Sequence, residues 1–379
     1  MTKTYYHYVE KKHSESGQTG TATYDLPETG WIPEIVVRVF STLTASTNPA
    51  IPTEKLITKI EIVDGATTLV SAAGYQLKAL YMYLRSRSLA MTETAEGGVE
   101  GYDDIVIPLG GIFNGRKYCP DFSRFNNPQI KITWDASQTT GPHGESFDAD
   151  TSPGIKITVL CKVLRDASGY SHGFVKFNSI KTWTQAASTT TVTEIPRGEP
   201  LLGIMIDAGY NAKNWTDDVN KIKLDFNNGE WVPLELDEEE IVPIQQDWFG
   251  GPFEISYYAD VKDSVDIDTR MGFVTSFVGT GAESGTEQLL YAWPFKHLGV
   301  ETISVSGASG FSSYKKAQFK VTGYIPFQCY YIPMKALLDG GQDTLDTTQY
   351  RRIELETTSS SNASTSSTPE ILTTYLITR

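Results

Sequence analysis

The sequence predicts an all-β chain of two similar domains in tandem, and three observations carry that prediction. Charged residues make up only 21% of the chain while Gly, Ser, Thr and aromatic residues are abundant, the profile of short strands and many turns. The stretch from Ile105 to Trp134 (IVIPLGGIFNGRKYCPDFSRFNNPQIKITW) returns in altered form from Tyr331 to Leu355 (YIPMKALLDGGQDTLDTTQYRRIEL). Each copy opens on an apolar run ending in Ile-Pro and an apolar residue (Ile107, Pro108, Leu109; Ile332, Pro333, Met334). Each then crosses a turn-rich segment containing Gly and closes on an alternating strand, and the spacing from Pro108 to Ile132 is nearly that from Pro333 to Leu355. The matched pieces also keep their order on both sides. Leu26-Pro27 answers Ile195-Pro196, Lys59-Ile60 answers Lys221-Ile222, and both copies end on a strand, IKITVLCKVL and EILTTYLIT. A length of 379 residues allows two or three domains, and the repeat selects two.

The first twenty residues carry aromatics, lysines and histidines before passing into turn formers, and read as an extended arm or an edge strand. Trp31 to Phe40 is rich in β-branched residues and predicts a strand. Leu56 to Val63 predicts another, turning at Asp64-Gly65. From Ser71 the period changes: Leu77, Leu80, Tyr81 and Leu84 make the apolar stripe of one inserted helix, which puts Lys78 and Arg85 on its other faces. Gly97 to Asp104 reads as a loop. Strands follow at Gln129 to Trp134 and, beyond a polar insert at 137–154, at Ile155 to Leu164. Asp166 to Gly169 is the link, which sets the domains at 1–167 and 168–379.

The second half repeats the plan with strands at Gly173 to Phe177, Thr189 to Glu194, Leu201 to Asp207, Val219 to Phe226 and Trp231 to Leu236. Asp237 to Trp248 stands where the first copy has its helix. Its acidic start suits a helix N-terminus, but Pro243 argues against a long helix. About sixty residues then have no counterpart in the first copy. This excursion, about 252–324, reads as a small β-unit of its own on an exposed face.

Two consecutive β-domains of about eight strands each, with a helix between early and late strands, make a double jelly roll. On the paired Ile107-Pro108-Leu109 and Ile332-Pro333-Met334, and on FSRFNNPQIKITW from Phe122 to Trp134, the chain resembles the double jelly-roll major capsid proteins. That lineage includes the adenovirus hexon and the coats of tailless phages with an internal membrane. The resemblance implies a non-enzymatic virion subunit, made in the host cytoplasm, that forms a homotrimer packed against neighbouring capsomers in an icosahedral shell. It also implies an N-terminal end directed to the inside of the shell. There Tyr5, Tyr6, His7, Tyr8, Lys11 and Lys12 suit an internal membrane, minor capsid proteins or a neighbouring capsomer.

Net charge −14 argues against direct nucleic acid binding, which needs clustered Lys and Arg. No apolar run approaches the roughly 20 residues that span a bilayer, and no signal peptide is visible. Cys119, Cys161 and Cys329 lack metal-like spacing and read as unpaired, Cys161 and Cys329 within apolar runs. The sequons at Asn214 and Asn362 read as chance. His7, His13, His143, His172 and His297 are scattered, none with a second ligand at i+2 or i+4. Gly110 to Lys117 lacks the ending of a phosphate loop and leads into no helix, and Leu26-Pro-Glu-Thr-Gly30 matches a sorting signal but opens a strand.

Asp148/Asp150, Asp263/Asp266/Asp268 and Asp339/Asp343/Asp346 have oxygens for a hard cation but lack the Gly and terminal Glu of a calcium loop. No nucleophile elbow or zinc helix is present, so the expected catalytic, cofactor-binding and metal residues are none. Two other functions compete. A carbohydrate-binding or carbohydrate-active jelly-roll protein would use the seven Trp and twenty Tyr, but leaves the repeated Ile-Pro landmark unexplained. A phage receptor-binding protein would show a coiled coil or an unrelated tip domain.

Overall fold

A computed structural model describes residues 4–42, 53–85, 89–90, 100–110, 118–137, 155–165, 167, 169–209, 215–261, 265–268, 271–283, 286–298, 302–305, 315–338, 342–365 and 367–378. The first part of the chain supplies β1 (Thr4–Ser14), β2 (Thr19–Asp25), β3 (Trp31–Thr42), β4 (Ile57–Asp64) and β5 (Thr67–Ala72). Then come β6 (Leu89–Ala90), β7 (Glu100–Pro108), β8 (Tyr118–Cys119), β9 (Pro128–Asp135) and β10 (Lys156–Leu164), with helices α1 (Thr53–Leu56) and α2 (Gly74–Arg85) among them. The main strands make two sheets, ordered β1-β10-β3-β7 and β2-β9-β4-β5. Their alternation is that of half-buried strands. Ile35, Val37 and Val39 of β3 face Ile130 and Ile132 of β9 in one core, and the residues between them look outward.

The second part supplies β11 (Ser171–His172), β12 (Phe174–Thr182), β13 (Thr190–Glu194), β14 (Pro200–Asp207), α3 (Trp215–Asp218), β15 (Lys221–Phe226), β16 (Trp231–Asp237) and α4 (Glu238–Phe249). An excursion follows: β17 (Phe253–Val261), β18 (Val265–Asp268), β19 (Met271–Glu283), β20 (Thr286–Leu298), β21 (Thr302–Val305) and β22 (Lys315–Pro326). The chain ends with β23 (Cys329–Pro333), α5 (Met334–Leu337), β24 (Leu345–Asp346), β25 (Ile353–Thr358) and β26 (Glu370–Ile377). The second pair of sheets is ordered β12-β26-β14-β23 and β13-β25-β15-β16, strand for strand the order of the first pair. The fold is therefore two eight-stranded jelly rolls in succession.

Register makes the repeat closer than the sequence suggests. Pro108 pairs with Glu34 and Pro333 with Gly203, so both Ile-Pro landmarks stand at the same place beside β3 and β14. Each is followed by a 3₁₀ turn opened by an aspartate, Asp121 accepting from the Ser123 N–H at 3.1 Å and Asp346 from the Thr348 N–H at 3.0 Å. Ile132 pairs with Ile60 and Thr357 with Ile222, so the counterpart of Ile132 is Thr357 and not Leu355.

The rolls are joined by more than the chain between them. β5 pairs in parallel with β12, Val70 beside Phe177 and Ser71 beside Asn178, so one sheet runs from the first roll into the second. Burial on both faces explains why Leu201 to Ile206 reads as a nearly unbroken apolar run while β13 alternates. Leu201, Ile204 and Ile206 enter the second roll's core, whereas Leu202 and Met205 enter a cluster shared with the first roll. Gly203 is required between them, because a Cβ there would run into the Tyr331 ring that crosses β14.

Two expectations are corrected, and the two cations of α2 are placed. Residues 100–104 belong to β7, paired with β3 from Arg38 to Thr42, because Asp103 and Asp104 find cationic partners there. Lys78, off the apolar stripe, is buried, as are most residues of α2, because other elements pack around much of the helix. Arg85 is half-buried and donates to the Gly110 carbonyl at 2.9 Å. Pro243 does not stop α4, which runs twelve residues. Three glutamates occupy its first turn, the Asp237 N–H donates to the Glu240 carboxylate at 3.2 Å, and Gly250 closes the C-terminus at φ 77°. Pro243 itself lies on the exposed side while Ile241, Val242 and Gln245 are buried, so packing offsets the missing hydrogen bond.

The excursion forms a sheet ordered β20-β19-β22-β17-β6, to which the first roll contributes β6 in parallel with β17. Of its expected Gly- and Ser-rich stretches, Gly279 to Gly285 and Ser304 to Ser313, residues 284–285 and 306–313 lie outside the described residues, as do most of the polar insert at 137–154 and residues 166 and 168 of the link.

Candidate functional site

The seam between the rolls brings together residues far apart in the sequence. Helix α2 of the first roll lies against β14, β23 and β26 of the second. Tyr75 Oη and Gln76 Nε2 donate to Asp207 Oδ2 at 2.6 and 2.7 Å, and Gln76 Nε2 also reaches Glu370 Oε2 at 2.6 Å. Further along, Tyr83 Oη donates to the Cys329 carbonyl at 2.6 Å and accepts from Gln245 Nε2 at 2.6 Å, while its ring stacks on Tyr331 with centroids 5.5 Å apart.

Two buried charge sites accompany the seam. Lys78 holds Glu54 at 3.0 Å and pairs with Asp103, all three side chains essentially excluded from water. Burial alone would lower the Lys78 pKa, but Asp103 and Glu54 reverse that and hold it above the ordinary lysine value. Burial pushes the Asp207 carboxyl up to about 7, against the hydrogen bonds from Tyr75, Gln76 and the Gly209 N–H, and Glu370 pushes it further the same way.

Among the described residues, exposed side chains on the outer side of the sheet β1-β10-β3-β7 come mainly from β1 and Tyr102. The N-terminal residues form an edge strand and not a free arm, with Tyr5, Tyr6 and Tyr8 about half exposed at 49%, 56% and 53%. On that face Lys12 lies 4.8 Å over the Phe40 ring, Arg38 lies 4.8 Å over Tyr102, and Arg38 makes a bidentate pair with Asp104 at 2.6 and 2.8 Å. At the far edge, β16 and the start of α4 present Glu235, Asp237, Glu238, Glu239 and Glu240.

The residues weighed for chemistry do not converge. His7 and His13 lie on β1, and His172 Nδ1 accepts from the Asp121 N–H at 3.0 Å. His143 lies outside the described residues, as do Asp148, Asp150, Asp263, Asp339, Asn214 and residues 111–117. Asp346 is occupied by its own 3₁₀ turn and Asp343 lies 3.7 Å from Lys335. Among the described residues no group of three His, Cys, Asp or Glu could hold a metal ion. The three cysteines are buried and unpaired, and burial pushes the Cys119 and Cys161 thiols up to about 12. Leu26 to Gly30 is an internal corner, with Leu26 buried and the Gly30 carbonyl accepting from the Phe122 N–H at 2.8 Å. Trp134 and Trp215 are buried, and Trp31, Trp183, Trp231 and Trp248 are half-buried. No described helix is long and apolar enough to cross a membrane.

The fold is that of the double jelly-roll major capsid proteins of viruses, and solved structures share it along the whole chain. The STIV MCP matches at TM-score 0.55 and 13% identity, over 99% of this chain and 96% of that one. The major capsid protein P2 of bacteriophage PM2 matches at TM-score 0.51 and 11% identity, over 99% and 97%. VP54 of PBCV-1 matches at TM-score 0.53 and 9% identity, over 99% and 94%. No protein-family model and no curated protein matches the sequence.

Proposed function

We propose that the chain is the major capsid protein of a virus, a structural subunit without enzymatic activity that forms pseudo-hexagonal homotrimers tiling an icosahedral shell. The carrying observation is the repetition of one strand order in two rolls joined along a common sheet, in a fold shared end to end with viral coat proteins. Two similar rolls per chain and three chains give six similar lobes, the shape that packs a surface hexagonally. With this reading go a boundary between residues 167 and 168, synthesis in the host cytoplasm, and partners among neighbouring capsomers. The N-terminal end is then offered to an internal membrane or to minor capsid proteins. Light scattering of the purified chain is expected to return three times its 41.9 kDa. A mass of one chain at every concentration and salt would remove the reading.

The sheet β20-β19-β22-β17-β6 supplies the outward face in this reading, since it is the largest departure of the second roll from the first. In assembled particles, limited proteolysis is expected to cut within 252–324 and spare the rolls. Protection there with cutting at 137–153 would put the first roll outermost.

A further inference from the structure

Lys78 of α2, Asp103 of β7 and Glu54 of α1 meet where water does not reach, and an amine against a carboxyl is the reactant pair of an amide. Condensation releases a water molecule, so a site that excludes water favours the bond and protects it from hydrolysis. The local sequence sets this meeting. Gly74 and Lys78 stand about one turn apart on the same face of α2. A Cβ at Gly74 would lie 3.1 Å from the Glu54 carbonyl oxygen and 3.0 Å from Ile105 Cδ1. The bare glycine therefore lets the helix sit close enough to α1 and β7 for one lysine to reach both acids. Along β7, Asp103 turns inward to Lys78 while Asp104 turns outward to Arg38.

Each oxygen around the amine has a separate position. Asp103 Oδ2 contacts Lys78 Nζ, while Asp103 Oδ1 accepts from the Asp104 N–H at 2.7 Å. Glu54 Oε2 accepts from Nζ at 3.0 Å. The oxygen beside the amine is thus placed to leave, and the other has a backbone donor for developing negative charge. Glu54 touches the same nitrogen as the leaving oxygen, so a proton passing between them has a short way to go.

We propose that Lys78 and Asp103 condense into a side-chain amide bond after the chain has folded, with Glu54 as the catalytic base. Nζ first gives a proton to Oδ2, leaving a neutral amine and a neutral acid. Nζ then attacks Cγ, which forms the N–C bond and places negative charge on Oδ1 against the Asp104 N–H. Glu54 takes one of the two protons on nitrogen and passes it to Oδ2, the Cγ–Oδ2 bond breaks, the Oδ1 carbonyl reforms and water leaves. Lys78 loses its positive charge, Asp103 its negative one, and Glu54 ends as it began. Burial, and after it Glu54, holds the Asp103 carboxyl above its ordinary value, which favours the first transfer, while Lys78 is held above its own. The neutral pair is therefore the minor form. A reaction that each chain undergoes once needs only that form in passing, because groups held in contact gain effective concentrations of about 10⁵–10⁸ M. The bond closes residues 78–103 into a ring and fastens to the first roll the helix whose Tyr75, Gln76 and Tyr83 hold the second. It goes beyond the coat reading and does not depend on it, since every reacting group belongs to one chain.

Mass spectrometry of the full folded chain, kept for a week at neutral pH, tests the bond. The chain is expected to weigh one water less than before, and trypsin to leave residues 60–85 joined to residues 88–116, uncut after Lys78. Asp103→Asn can form the same amide by releasing ammonia, and is expected to reach the mass of the reacted native chain. Glu54→Gln keeps the pair of Lys78 and Asp103, and is expected to slow the loss of water at least about a hundredfold. A native chain that keeps its full mass through the week overturns the proposal. So does a lost water that maps to Asp64-Gly65 or Asp339-Gly340, where an aspartate before glycine can close on its own backbone.

Discussion

Replacing Lys78 by methionine is expected to destabilise the first roll by about 3–5 kcal/mol, the cost of leaving a buried acid without its cation. Glu54 and Asp103 would then face each other out of water without the ammonium that bridges them. The variant changes little in volume, so the loss reports charge and not packing. Changing Glu54 to Gln and Asp103 to Asn in the same chain should restore most of it, because uncharged amides no longer repel. Urea unfolding followed by tryptophan emission measures both. A loss below about 1 kcal/mol for Lys78→Met would mean that water reaches the site.

Asp207 is expected to make the seam weaker as pH rises. Its folded pKa of about 7 lies above the ordinary aspartate value of 3.8, so between those values the folded chain holds a proton that the unfolded chain has released. Stability from this group is therefore fully present below pH 4, falls as pH climbs, and is gone above pH 7. The whole span is on the order of 4 kcal/mol at about 1.4 kcal/mol per unit. Asp207→Asn cannot titrate and should flatten the change in melting temperature between pH 5 and pH 8. An unchanged slope in that variant would assign the pH dependence to another group.

The layout was legible in the sequence wherever a local pattern carried it. The Ile-Pro landmarks, the β-branched run at β3 and the apolar stripe of α2 are short-range signals, and each names an element. The seam was not legible, because its determinants are pairings of residues far apart. Tyr75 and Gln76 on α2 look like ordinary helix residues until Asp207 and Glu370 arrive from the other roll. The burial of Lys78 was not legible for the same reason: periodicity describes one face of a helix, and α2 is covered on several. Pro243 misled in the other direction, since a local breaking tendency was outweighed by buried contacts that no local rule contains. The opening strands β2 and β5 are short and flanked by turns, so they announced little beyond composition.

The shared hydrophobic cluster has a consequence for how the chain is made. The last strand of the first roll ends at Leu164, yet the cluster beneath it takes Met205, Tyr331 and Leu372 from the second. Leu372 emerges from the ribosome roughly two hundred residues after Leu164, a delay of roughly ten to forty seconds at typical rates of synthesis. Through that interval the leading half has its strands but lacks part of its interior, with the α2 face that will hold the seam open to other molecules. Half-finished chains that meet in this interval expose to one another the apolar surface that the second half would have covered.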